Sequence, residues 1–175
     1  AERARDKVLD AAMRLGPTGV YVKARPKHAS VIVDARRAEF SPPTAVRGES
    51  APEEFVIEEL GLPYRVRLGD GLSTGIFLDQ RENRRRVREM AGGARVLNLF
   101  AYTGAFTVAA VAGGARSSLT VDVSPGALAW ARKNLDAVGA DPALHRTLDV
   151  DALVWLRAAA KGDDATRRLA IGDLG

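Results

Sequence analysis

The chain has 175 residues, 46% of them apolar, with a net charge of +4 and a pI near 9.8. That is enough apolar content for one domain, or one domain with a small appendage, and it argues against disorder. No apolar run approaches the roughly 20 residues needed to span a bilayer, and the lack of cysteine excludes disulfides, cysteine-ligated zinc and a cysteine nucleophile within this chain.

Residues 3–15 read as an amphipathic helix with Val8, Leu9, Ala12 and Met13 on one face, stopped by Gly16-Pro17. The opening Ala-Glu-Arg-Ala-Arg-Asp is not a secretory leader, and with no initiator Met the chain is expected to be a piece of something longer, resident in the cytoplasm. Val20–Lys23 and Ser30–Val33 suggest short strands around a basic loop, Arg25-Pro26-Lys27-His28. Residues 41–53, rich in Pro, Ser, Gly and Glu, read as loop. Glu54–Leu60 and Tyr64–Leu68 predict a hairpin turning at Gly61-Leu62-Pro63, with Tyr64, Val66 and Leu68 on one face and Arg65 and Arg67 on the other.

From about residue 80 the pattern alternates. Arg81–Ala91 predicts a charged helix, Arg95–Phe100 a strand, and Thr103–Ala112 a helix closed by Gly113-Gly114. Ser118–Val121 predicts a strand ending at Asp122. Ser124-Pro125 then opens a helix with a Ser N-cap, a Pro just inside, and an apolar stripe of Leu128, Ala131, Leu135 and Val138. Ala143–Leu148 predicts a third strand, Asp151–Ala160 a helix with Leu153 and Leu156 inward, and Arg168–Gly172 a fourth strand. The expected fold is α/β: a Rossmann-like parallel sheet over residues 76–175, preceded by a small mixed α+β region with a hairpin over residues 1–75.

The stretch Val96–Phe106 is a short apolar run entering a small-residue turn and a helix, the usual ligand position of an open α/β sheet. It has neither G-x-G-x-x-G nor G-x-x-x-x-G-K-[ST], which disfavours a dinucleotide or triphosphate cradle and with it an NAD-dependent oxidoreductase. Asp122 follows the next strand, where a carboxylate can take both hydroxyls of a ribose. Asp149 and Asp151 follow the third, where one can accept from a purine amine. Asp151 also suits an N-cap that needs no ligand. Together these strand ends describe a cleft for an adenosine carrying something other than phosphate. The basic excess is mostly arginine, with Arg81, Arg84, Arg85, Arg86 and Arg88 in one segment, and it favours nucleic acid or an acidic ligand. His28 and His145 lack partners at metal or triad spacing, so no metal is expected. Phe100, Tyr102, Phe106, Trp130 and Trp155 suit packing.

Three segments carry a resemblance: Leu78-Asp79-Gln80-Arg81-Glu82-Asn83-Arg84, Val96–Phe106, and Val121-Asp122-Val123-Ser124. With Gly69–Phe77 and Tyr21–Lys27, they resemble the large-subunit ribosomal-RNA methyltransferase family of class I enzymes over roughly residues 18–160. The resemblance implies S-adenosyl-L-methionine as cofactor and RNA as partner. It implies that the turn Asn98–Gly104, with Phe100, Tyr102 and Thr103, passes under the methionine and ribose. Asp122 would hold the ribose hydroxyls, Val123 would pack on the adenine and Asp151 would face its amine. Asp79 and Arg81 would close over the cofactor, Arg81 pairing with its carboxylate. For Arg84–Arg88, RNA contact and a solvated helix face stand equal.

The family aligns its substrate with an Asp-Pro-Pro or Asn-Pro-Pro loop after the fourth strand. Here Asp173 falls where the acidic residue belongs, but Leu174 and Gly175 stand in place of the prolines. Two readings stand: the cofactor-binding part of an RNA methyltransferase, or a non-catalytic binding module. Either leaves a sheet edge open, for which marginal stability or a homodimer through that edge is expected.

Overall fold

The computed structural model describes residues 2–24 and 40–161. The basic loop at 25–28 with His28, the strands expected at 30–33 and 168–172, and Asp173 lie outside the described residues. The chain forms two compact units, residues 1–56 with 66–75, and residues 57–65 with 76–175.

In the first unit, helix α1 spans Glu2–Met13, and Gly16, at φ +75°, ends it with its N–H on the Met13 carbonyl. Leu9 is buried, whereas Val8 is 68% exposed, so the inward stripe is Leu9, Ala12 and Met13 without Val8. Strand β1 is only Gly19–Val20. It pairs antiparallel with β2, Arg47–Gly48, inside the segment that reads as loop. The pair forms because both strands carry a glycine at the crossing: a Cβ on Gly19 would lie 2.0 Å from the Glu49 carbonyl oxygen, and one on Gly48 2.2 Å from that of Thr18. Beyond Val20 the chain leaves the pairing, and Lys23 donates to Ser41 Oγ at 2.5 Å and to the Gly71 carbonyl at 2.7 Å.

The hairpin is present as β3, Phe55–Glu59, and β4, Leu62–Val66. Its turn is Leu60-Gly61, both left-handed at φ 55° and 77°, rather than Gly61-Leu62-Pro63. Two left-handed residues in succession make the type I′ turn, whose twist matches that of the flanking strands, and proline, locked at negative φ, cannot sit in it. Pro63 therefore falls inside β4, where Leu62, Tyr64 and Val66 are the buried positions.

In the second unit a 3₁₀ turn, Leu78–Gln80, leads into α2, Arg81–Met90. Then follow β5 (Arg95–Leu99), α3 (Ala105–Ala112), β6 (Ser117–Asp122), α4 (Pro125–Ala137), β7 (His145–Asp149) and α5 (Ala152–Ala160). The three strands form a parallel sheet in the order β5-β6-β7, with Leu97 opposite Leu119 and Thr120 opposite Thr147. Central β6 is buried from Ser117 to Val121, and its period-2 alternation divides the two faces. Thr120 meets Thr107 of α3, while Leu119 and Val121 meet Ala152 and Trp155 of α5.

Ser124 caps α4 as expected, its Oγ accepting from the Ala127 amide with Pro125 just inside. Asp151 caps α5, and that phase turns Ala152, Trp155 and Leu156 to the sheet. Leu153, expected inward, is 52% exposed. Helices α2 and α3 approach closely at Gly113, where a Cβ would stand 2.0 Å from the Arg88 carbonyl oxygen.

Candidate functional site

The turn between β5 and α3 is the most strained backbone of the second unit. Phe100 and Tyr102 sit at φ 54° and 51°, and apart from Leu60 they are the non-glycine residues with positive φ among those described. Gly104 follows at φ 72° and starts α3. A Cβ there would lie 2.9 Å from that of Ala131, so Gly104 also lets α3 pack on α4. Each left-handed non-glycine residue costs on the order of 1–3 kcal/mol and persists only where the surroundings hold it.

Asp122 does much of the holding. Its Oδ2 accepts from the Tyr102 amide at 2.8 Å and its Oδ1 from the Ser124 amide at 2.9 Å. One carboxylate thus joins the turns that follow β5 and β6. An ionised carboxylate has about four acceptor positions, so these two bonds leave capacity for a diol, and the side chain is only half-buried. Asp149 is exposed and stands opposite Asp122 in the β6–β7 register. Val123 is 69% exposed just beyond Asp122. Asp151 is exposed, and Oδ1 alone accepts both capping bonds, from the Leu153 and Val154 amides.

Two of the expected residues turn inward. Asn98 donates through Nδ2 to Thr107 Oγ1 at 2.9 Å, and Thr107 in turn meets Thr120 Oγ1 at 2.9 Å. Thr103 is buried, and its carbonyl accepts from Asn134 Nδ2 at 3.0 Å. Asn134 was not singled out in the sequence, yet it is fully buried and accepts from the Arg65 amide through Oδ1 at 2.9 Å. It anchors the strained turn to β4. The available signal was a polar residue among the apolar positions of α4, next to Leu135.

Phe100 is 67% exposed. Tyr102 packs its ring 6.1 Å from Trp130 and 5.7 Å from Phe77, which brings the segment carrying Asp79 and Arg81 to the turn. Trp130 is buried, its Nε1–H donating to the Arg65 carbonyl. Asp79 is exposed and accepts from the Gln80 side chain at 2.8 Å, while Arg81 is exposed at the start of α2.

Arg84 is neither solvated nor placed for RNA. It is 2% exposed and grips Glu59 through Nε and a terminal nitrogen, at 2.7 and 2.8 Å. Its other terminal nitrogen donates to the Phe77 carbonyl at 2.9 Å, and the guanidinium lies 6.0 Å from the Phe106 ring centre. Beside this pair, burial pushes the Tyr64 hydroxyl up to about 12. Arg85, by contrast, pairs on the helix surface with Glu82 and Glu89. His145 Nδ1 lies 3.0 Å from Ser118 Oγ, and burial pushes its pKa down. No metal-ligating cluster occurs among the described residues.

A parallel sheet of alternating strands and helices, its first turn tied to an acidic residue at the end of the second strand, is the layout of a Rossmann-like α/β unit. Residues 14–153 match the family model of S-adenosylmethionine-dependent methyltransferases, and the chain belongs to that family. Among curated relatives, it is 39% identical over 158 residues to the ribosomal RNA large subunit methyltransferase K/L of Chromohalobacter salexigens, spanning 90% of this chain and 20% of that one. It is 41% identical to the ribosomal RNA large subunit methyltransferase of Deinococcus radiodurans, over 73% of this chain and 31% of the relative. A structure from Streptococcus mutans, described as a SAM-dependent methyltransferase, superposes with a TM-score of 0.77 at 35% identity, covering 93% of this chain and 40% of that one. A methyltransferase structure complexed with S-adenosylhomocysteine superposes with the same score. The chain thus spans less than a third of these curated relatives.

Proposed function

We propose that this chain is the cofactor-binding part of a methyltransferase acting on RNA of the large ribosomal subunit, in the cytoplasm. The observation that supports it most is Asp122, held between the Tyr102 and Ser124 amides at the C-terminal end of the central strand. Fixed there and half-buried, it has acceptor capacity for the two ribose hydroxyls of S-adenosylmethionine. The exposed Val123 side chain gives an apolar surface for the adenine. Asp151 Oδ2, which takes no part in the cap, suits the adenine amine. Arg81 suits the carboxylate of the methionine moiety. The bound cofactor supplies an electrophilic methyl group, so the protein's task is mainly alignment and exclusion of water. Residues 1–75 are the part proposed to contact RNA. An open edge of the sheet is proposed to accept a second copy of the chain.

Calorimetric titration tests the cofactor reading. S-adenosylhomocysteine is expected to bind and NAD not to, since the turn has no phosphate-cradling glycines. Equal binding of both, or of neither, would overturn it.

A further inference from the structure

We propose that Phe77 is a stacking platform for an unpaired nucleobase of the RNA substrate, set beside the cofactor turn. The inference rests on the methyltransferase reading above. A single exposed apolar residue needs no explanation by itself; what sets Phe77 apart is how it is supported. Phe77 is 51% exposed, and its ring centre lies 5.7 Å from that of Tyr102, the planes tilted by 51°. Tyr102 rests in turn on buried Trp130 at 6.1 Å and 58°, and the indole is pinned by its bond to the Arg65 carbonyl. The backbone is held as well: the Phe77 carbonyl accepts from Arg84, which is locked by its two bonds to Glu59, and from the Gln80 amide at 3.1 Å. An aromatic ring so fixed loses little rotamer freedom when a flat ligand lands on it.

Its position supplies the ligand class. The middle ring of the ladder belongs to the residue whose amide Asp122 holds, so the stack runs outward from the proposed ribose site. Leu78, next in the chain, is also exposed, at 72%, so the outer side of this segment presents apolar surface beside the cofactor turn. A supported, exposed aromatic ring is how proteins bind unstacked bases without reading their sequence.

The test uses the full chain with a short fluorescein-labelled single-stranded RNA, in saturating S-adenosylhomocysteine, read by anisotropy. F77A is expected to weaken RNA binding roughly 5- to 100-fold, F77W to restore it, and both to leave S-adenosylhomocysteine affinity unchanged. RNA affinity unaltered by F77A overturns the platform. So does a parallel loss of S-adenosylhomocysteine affinity, which would make the ring part of the cofactor site instead. Wild-type protein that binds no S-adenosylhomocysteine overturns the cofactor reading, and the platform with it.

Discussion

Asp122 accepts two backbone amides before any ligand arrives, so its replacement has two separable effects. D122A removes the acceptor of the half-buried Tyr102 amide and of the exposed Ser124 amide, which water can replace, and a partly buried charged hydrogen bond is worth about 1.5–3 kcal/mol. We expect S-adenosylhomocysteine affinity to fall at least about tenfold, measured by calorimetry, and the urea midpoint to fall as well. D122N, with a single acceptor oxygen, should fall between wild type and D122A in stability while still losing affinity. Arg84 tests a purely structural demand. Its pair with Glu59 is buried, the side chains 3% and 9% exposed, and removing one partner of such a pair costs about 3–5 kcal/mol. R84M should therefore destabilise by about that amount in urea unfolding, whereas R86M, on the exposed face, should change stability by less than about 0.5 kcal/mol.

At the scale of elements, local signals and tertiary contacts divide the work differently along the chain. Helix α4 is fixed by its own ends, Ser124 and Pro125, and its structure follows its sequence. The β3–β4 turn does not, because the apolar period continues through Leu60 and hides the left-handed position. Leu60 is held at φ 55° with its carbonyl accepting from Arg88. Asn enters that region more readily than Leu, and L60N keeps the backbone acceptor. L60N should stabilise the protein by about 0.5–1 kcal/mol, read as a higher urea midpoint. An unchanged or lower midpoint would show that the Leu60 side chain contributes more than its strain removes.

At the scale of the molecule, the described sheet has β5 and β7 at its edges. Parallel edges offer a row of unpaired amides and carbonyls, and Leu97 on β5 is 48% exposed. If a second copy pairs there, sedimentation velocity should show a weight-average coefficient that rises with concentration, and L97K should abolish the rise. A concentration-independent monomer would remove the dimer from the reading.

The alternation of strands and helices over residues 81–160, the helix caps at Ser124 and Asp151, and the place of Asp122 at a strand end are legible in the sequence alone. These follow from backbone preference and side-chain period, which neighbouring residues carry between them. That Arg84 is buried, that Asn134 anchors the turn, that Val8 and Leu153 face outward, and that Gly19 pairs with Gly48 follow from contacts the fold makes. The physical reason is separation: Arg84 meets Glu59 across 25 positions, and Asn134 meets Arg65 across 69. A charged or polar side chain looks the same in sequence whether it meets water or a distant partner. Its role is set by what the fold brings within about 3 Å of it.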